Sequence, residues 1–156
     1  MKPARLPFSF IPSRPGSYVL IMRLHAPAEL QVGKLGSLHC PAGWYTYVGS
    51  ALGPGGLAAR LARHRRREKR LHWHIDYLLA LSQLTEIWWA VSSERWECTW
   101  AESLGRLPGA KVLFPGFGSS DCRCRAHLLY FARRPSLSSL AAKLEGPCAP
   151  SRLTIC

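Results

Sequence analysis

The spacing of hydrophobic positions changes several times along the chain, and each change marks an element. Tyr18 to Leu24 (YVLIMRL) is an almost unbroken apolar run with β-branched residues, which predicts a buried strand. Glu29 to Gly36 predicts a second short strand ending at Gly33 and Gly36, and Pro41-Ala-Gly43 predicts a turn. Trp44 to Gly49 predicts a third strand, with Tyr45 and Tyr47 on one face and Trp44 and Thr46 on the other. Leu52-Gly-Pro-Gly-Gly56 stops it, because proline cannot donate to a ladder and glycine permits angles other residues avoid.

A helical period follows from about Gly56 to Lys69. Leu57 and Leu61 share its apolar face, while Arg60 and His64 stack four apart on a neighbouring stripe. His72 to Leu81 predicts a second helix, Thr85 to Val91 a strand, Glu94 to Leu107 a third helix and His127 to Ala132 a last strand. Early strands with later alternating helices imply an α+β fold, a small central mixed or antiparallel sheet flanked by helices. Residues 1–15 read as an irregular arm, 16–134 as the folded domain, and 135–156, rich in Ser, Pro and Ala, as a flexible tail.

Composition narrows the picture. A chain of 156 residues with 47% hydrophobic content can bury a core of its own. Its net charge of +12 points to polyphosphate partners. That charge is concentrated: Arg60, Arg63, Arg65, Arg66, Arg67, Lys69 and Arg70 are opposed in their own stretch only by Glu68. Prolines at 3, 7, 12 and 15 interrupt the start of the chain, so no secretory signal is expected, and no apolar run suits a membrane. The six cysteines then read as free thiols in a reducing cytoplasm, where the protein is expected to reside.

Several groupings could carry chemistry. The glycine-rich turn between Gly49 and Gly56 could cradle a phosphate on helix N–H groups, although it matches neither the nucleotide-binding loop nor the dinucleotide fingerprint. Arg63, Arg66, Arg67, Lys69 and Arg70, with Gly49 and Ser50, form a candidate surface for a nucleic-acid backbone. A solvated helix face is the alternative. His72, His74 and Asp76 offer two imidazoles and a carboxylate for a metal or an oriented base, or a purely structural role. Asp121, Cys122, Cys124 and His127 invite a zinc reading. The Cys-x-Cys spacing with no second pair argues against it, so zinc is not expected. Glu97 lies among Trp96, Cys98 and Trp100, where a carboxylate calls for a partner, either a metal ion or an arginine.

Gly16-Ser-Tyr18, Tyr47-Val-Gly49, Arg60 in its helix and Glu97 further on together resemble the GIY-YIG nuclease superfamily. YVGSALGPGGLAARLARH, HWHIDYLL, Glu97-Cys98 and FGSSDCRC followed by His127-Leu128 are similar to the blocks of its Uri-type endonuclease branch. The resemblance implies a GIY-YIG-like fold over 16–134. The long separation of the two tyrosine motifs implies an inserted strand or hairpin around residues 25–43. It implies a metal-dependent endonuclease hydrolysing nucleic-acid phosphodiesters, DNA rather than RNA, in repair or processing.

In that reading Glu97 holds one Mg²⁺ or Mn²⁺, Arg60 binds the scissile phosphate, and Tyr18 or Tyr47 helps deprotonate the attacking water. His64 is a rival base. His72, His74, Asp76, Asp121, Cys122, Cys124 and His127 are left for branch-specific roles. The competing readings are a nucleic-acid-binding module without turnover and a zinc-stabilised interaction domain.

Overall fold

The computed structural model describes residues 10–120, 122–136 and 138, and the backbone of 151–154. Its centre is β1 (Gly16–Leu24), whose side chains alternate between two apolar clusters. Tyr18, Leu20, Met22 and Leu24 join one cluster, and Val19 and Ile21 join the other. A strand covered on both sides has no need of polar alternation, which is why its sequence is a continuous apolar run.

On one side β1 pairs antiparallel with β4 (Gly43–Ala51), placing Tyr18 opposite Gly49. On the other it pairs antiparallel with β5 (Gln83–Val91). β6 (Leu128–Phe131) and β7 (Ser151–Thr154) complete an antiparallel sheet of order β6-β4-β1-β5-β7. Residues 151–154, within the stretch read as a tail, thus lie along β5. The fold is α+β, as the pattern implies.

The first cluster is covered by α1 (Gly56–Arg65), α2 (His74–Leu79) and a separate hairpin of β2 (Ala28–Val32) and β3 (Gly36–Cys40). This hairpin is the insertion between the tyrosine motifs; it buries Leu30, Val32, Leu38 and Cys40 in that cluster. α3 (Glu97–Gly105) covers the second cluster with Trp100, Ala101 and Leu104.

Helix α1 is shorter than its sequence period suggests, because Arg66 adopts an extended conformation and ends it. Lys69 folds back and donates to the carbonyls of Arg63 and His64 at 3.1 and 3.0 Å, capping the helix C-terminus. At the other end, Leu57 N–H donates to Arg14 O and Ala58 N–H to Pro12 O. Those donors are spent on the described part of the arm, so the helix N-terminus is not the open phosphate cradle its glycine turn suggests.

Candidate functional site

A cavity of about 480 Å³ opens where β1, β4, α1, α2 and α3 meet. Tyr18, Tyr47, Gly49, Ser50, Arg60, His72, His74 and Glu97 all line it. Four separated stretches of sequence therefore deliver the two tyrosines, the arginine and the carboxylate to one space. Trp73, Arg95, Gly118 and Ser120 join them in the wall.

Gly49 is dictated by Tyr18. A Cβ at position 49 would lie 2.4 Å from the Tyr18 Oη, so only glycine leaves the phenol its place. Tyr18 is almost wholly buried, and its hydroxyl shares a 2.7 Å hydrogen bond with His64 Nε2. Burial, and then the neighbouring Tyr47, push the Tyr18 pKa far above that of an ordinary phenol, against the pull of Arg60. Burial, followed by Lys69, pushes His64 down to about 3, with Asp76 opposing. Both groups therefore stay neutral near pH 7, and neither is poised as a base.

His64 Nδ1 is buried with no hydrogen-bond partner among the described residues. Orphaned buried N–H donors are rarer than under-satisfied acceptors, which assigns the proton to Nε2. In that tautomer His64 donates to the Tyr18 oxygen and leaves the tyrosine proton to face the cavity. His64 itself lines a second concavity of about 590 Å³, with Arg65, Arg66, Arg67 and Lys69. It does not line the first cavity but lies behind Tyr18 and Trp73, which do.

Asp76 is wholly buried and accepts from Arg63 Nη1 and Nη2 at 2.9 and 2.8 Å. It also accepts from the backbone N–H groups of His72 and Trp73, both at 2.9 Å, which caps α2. Burial alone would raise its pKa. The paired guanidinium and the two N–H groups outweigh that and hold it well below the usual carboxylate range. Asp76 is thus the anchor that ties α1 to α2. Arg63 and Lys69, read from sequence as phosphate contacts, are engaged on Asp76 and on the end of α1 instead. Arg66, Arg67 and Arg70 remain exposed.

Trp73, which the sequence reading passed over, stacks with both helix arginines. The Arg60 and Arg63 guanidinium carbons lie 4.5 and 3.8 Å from its ring centroid. His74 accepts from the Gly118 N–H at 3.0 Å through Nδ1, so the neutral ring carries its proton on Nε2. Burial lowers the His74 pKa and favours that neutral form. Gly118 has φ +71°, and a Cβ there would lie 2.7 Å from Tyr47 Cε2. The glycine-rich loop is pressed against the second tyrosine for that reason.

The expectation of Mg²⁺ or Mn²⁺, with zinc not expected, is corrected by the donor geometry. Cys98, Cys122, Cys124 and His127 bring four possible ligand atoms within 4.8 Å of one another, and three thiols with an imidazole suit zinc, not the hard oxygen-seeking ions. Glu97 belongs to no group of three or more His, Cys, Asp or Glu donors among the described residues. Its partner is an arginine, with Arg95 Nη1 at 3.9 Å from Oε1. The Cys-x-Cys spacing misled because the further cysteine, Cys98, arrives from α3, far back in the sequence. Asp121 lies outside the described residues.

No described helix is long and apolar enough to cross a membrane. A protein-family model described as "Domain of unknown function DUF123" matches residues 17–147, and the chain belongs to that family. No curated protein and no solved structure matches it.

Proposed function

We propose that this DUF123 protein is an endonuclease of the GIY-YIG type, most similar to the Uri branch, which hydrolyses phosphodiester bonds in nucleic acid during DNA repair or processing. One observation carries the reading: Tyr18, Tyr47, Arg60 and Glu97, brought from separate elements, line a single cavity. The exposed Arg66, Arg67 and Arg70 beyond α1 supply a path for the strand.

Each group has a role its environment allows. Arg60 clamps the scissile phosphate and offsets the charge that grows on it. Tyr18, kept protonated by burial and held by His64, donates its hydroxyl proton in a hydrogen bond to a phosphoryl oxygen. The Glu97 carboxylate takes a proton from the attacking water as its oxygen bonds to phosphorus, with Tyr47 orienting that water. The phosphorus–ester oxygen bond breaks in line, His74 Nε2–H donates to the departing oxygen, and solvent protonates it. The roles given to Tyr18 and His64 differ from the bases expected from sequence, since neither group gives up or gains a proton readily.

Cleavage of supercoiled, branched and single-stranded DNA, measured across a panel of divalent-cation salts, tests this reading. Arg60→Ala and Glu97→Gln are expected to lose roughly 100- to 1000-fold in rate, the scale of removing one preorganised charge-stabilising group. Cleavage unchanged in both variants overturns it. Salt-dependent binding with no cleavage by the parent protein leaves the binding module without turnover.

A further inference from the structure

The cluster of Cys98, Cys122, Cys124 and His127 sits behind the cavity wall, not in it. Cys98 follows Glu97 directly in the first turn of α3. His127 precedes β6, is 1% exposed, and is fixed at both ends of its own backbone. Its N–H donates to Phe117 O at 2.9 Å, and its carbonyl accepts from Val48 N–H at 3.0 Å. Cys122 and Cys124 lie on the loop between, where Cys122 N–H donates to Ser119 O at 3.3 Å.

The four donor atoms lie within 4.8 Å of one another, and two of their separations are close to the edges of a coordination tetrahedron. His127 Nε2 lies 3.8 Å from Cys98 Sγ and 3.4 Å from Cys122 Sγ. A tetrahedral zinc, with bonds of about 2.3 Å to sulfur and about 2.1 Å to nitrogen, requires ligand–ligand edges of about 3.5 to 3.8 Å. Four protein donors also leave no coordination position open for water or substrate, the mark of a structural site.

We propose that Cys98, Cys122, Cys124 and His127 bind one Zn²⁺ as a closed clasp that positions both walls of the cavity. The three thiol protons are released to solvent as the ion binds, and His127 coordinates as the neutral imidazole through Nε2. On one side the clasp fixes Cys98 and with it Glu97. On the other it closes the loop that carries Gly118, whose N–H holds His74 by Nδ1. Zinc therefore acts on Glu97 and His74 as positioning, without entering the reaction. The catalytic part of this inference rests on the endonuclease reading; the zinc site and the placement of Gly118 do not.

The full chain, purified without chelator, is expected to carry one zinc per chain by native mass spectrometry, with the metal absent from Cys98→Ser and Cys124→Ser. Chelation of the parent protein, followed by zinc addition, serves where a cysteine variant fails to fold. Removal of zinc is expected to lower the hydrogen-exchange protection of the Gly118 amide at least tenfold, and zinc addition to restore it. Where DNA is cleaved, kcat falls at least tenfold with KM little changed. Arg60→Ala and Glu97→Gln keep their zinc, so loss of the endonuclease reading and loss of the clasp are told apart. Protein that is metal-free as purified, or with a Cys98–Cys122 or Cys122–Cys124 disulfide in place of zinc, overturns the clasp. So does Gly118 exchange indifferent to chelation.

Discussion

The cavity and the cysteine cluster draw on the same two segments, the start of α3 and the loop before β6, yet they hold opposite chemistry. Glu97 lines the cavity while Cys98, its neighbour, faces the cluster. Consecutive helix residues diverge by about 100° around the axis, so one turn can serve two sites without sharing a side chain. The cavity gathers charged and hydroxyl groups around open space, and the cluster gathers three thiols and an imidazole within 4.8 Å of one another. One has room to admit a ligand, the other the donors to hold an ion. The two regions can therefore be broken separately.

The largest effect belongs to Asp76. Asn keeps its shape and removes its charge, leaving Arg63 and the inward-turned Lys69 beside an amide that cannot repay them. Breaking a buried pair by removing one partner costs about 3–5 kcal/mol. Asp76→Asn is expected to lose stability on that scale in urea unfolding while keeping its zinc, because its partners Arg63, Lys69, His72 and Trp73 are not members of the cluster. Loss of zinc in the folded variant would mean that the two regions are one unit.

Legibility followed distance along the chain. The strands and the α1 face could be read because a strand buried on both sides, or a helix with Leu57 and Leu61 inward, writes its period locally. Tyr18, Tyr47, Arg60 and Glu97 could be named because each belongs to a short motif. What failed was long-range. Nothing near Asp76 in sequence shows that Arg63 will reach it across 13 positions, and nothing near Cys122 shows that Cys98 will supply a further sulfur. The end of α1 was missed for a related reason. Arg66 to Arg70 would suit a helix by propensity, but Lys69 turns back on the Arg63 and His64 carbonyls.

His64 gives the next effect. Its folded pKa, pushed down to about 3 by burial, lies below the 6.5 of an ordinary imidazole in the unfolded chain. Between those values the unfolded state binds a proton that the folded state refuses, so stability is full above about pH 6.5 and falls as pH drops toward 3. The slope is about 1.4 kcal/mol per pH unit for one such proton. Asp76, also depressed, adds its own loss further into acid. A zinc bound by thiolates and imidazole would also be released in acid, so the parent protein alone does not separate the cavity from the cluster. The difference between parent and His64→Gln does, since both carry the same four ligands. Thermal melts from pH 7 to pH 4 are expected to show the shallower decline in His64→Gln; parallel declines would assign the acid lability to the cluster instead.

The smallest effect concerns the outer rim, where the basic residues look alike in sequence and differ in the fold. Arg66 and Arg67 are exposed, whereas Arg63 and Lys69 are committed to Asp76 and to the end of α1. If the first two neutralise one phosphate each, Arg66→Ala with Arg67→Ala reduces the slope of log affinity against log salt by about 1.8, since each contact to B-form DNA releases about 0.9 of a counterion. Stability should hardly change, because exposed side chains away from any network cost little to remove. Arg63→Ala is expected to do the reverse, lowering stability through the stranded Asp76 while leaving the salt slope nearly as it was. Fluorescence anisotropy with a short duplex from 50 to 200 mM salt separates the two. An unchanged slope in the Arg66 and Arg67 double variant would place the strand elsewhere and remove the path proposed for it.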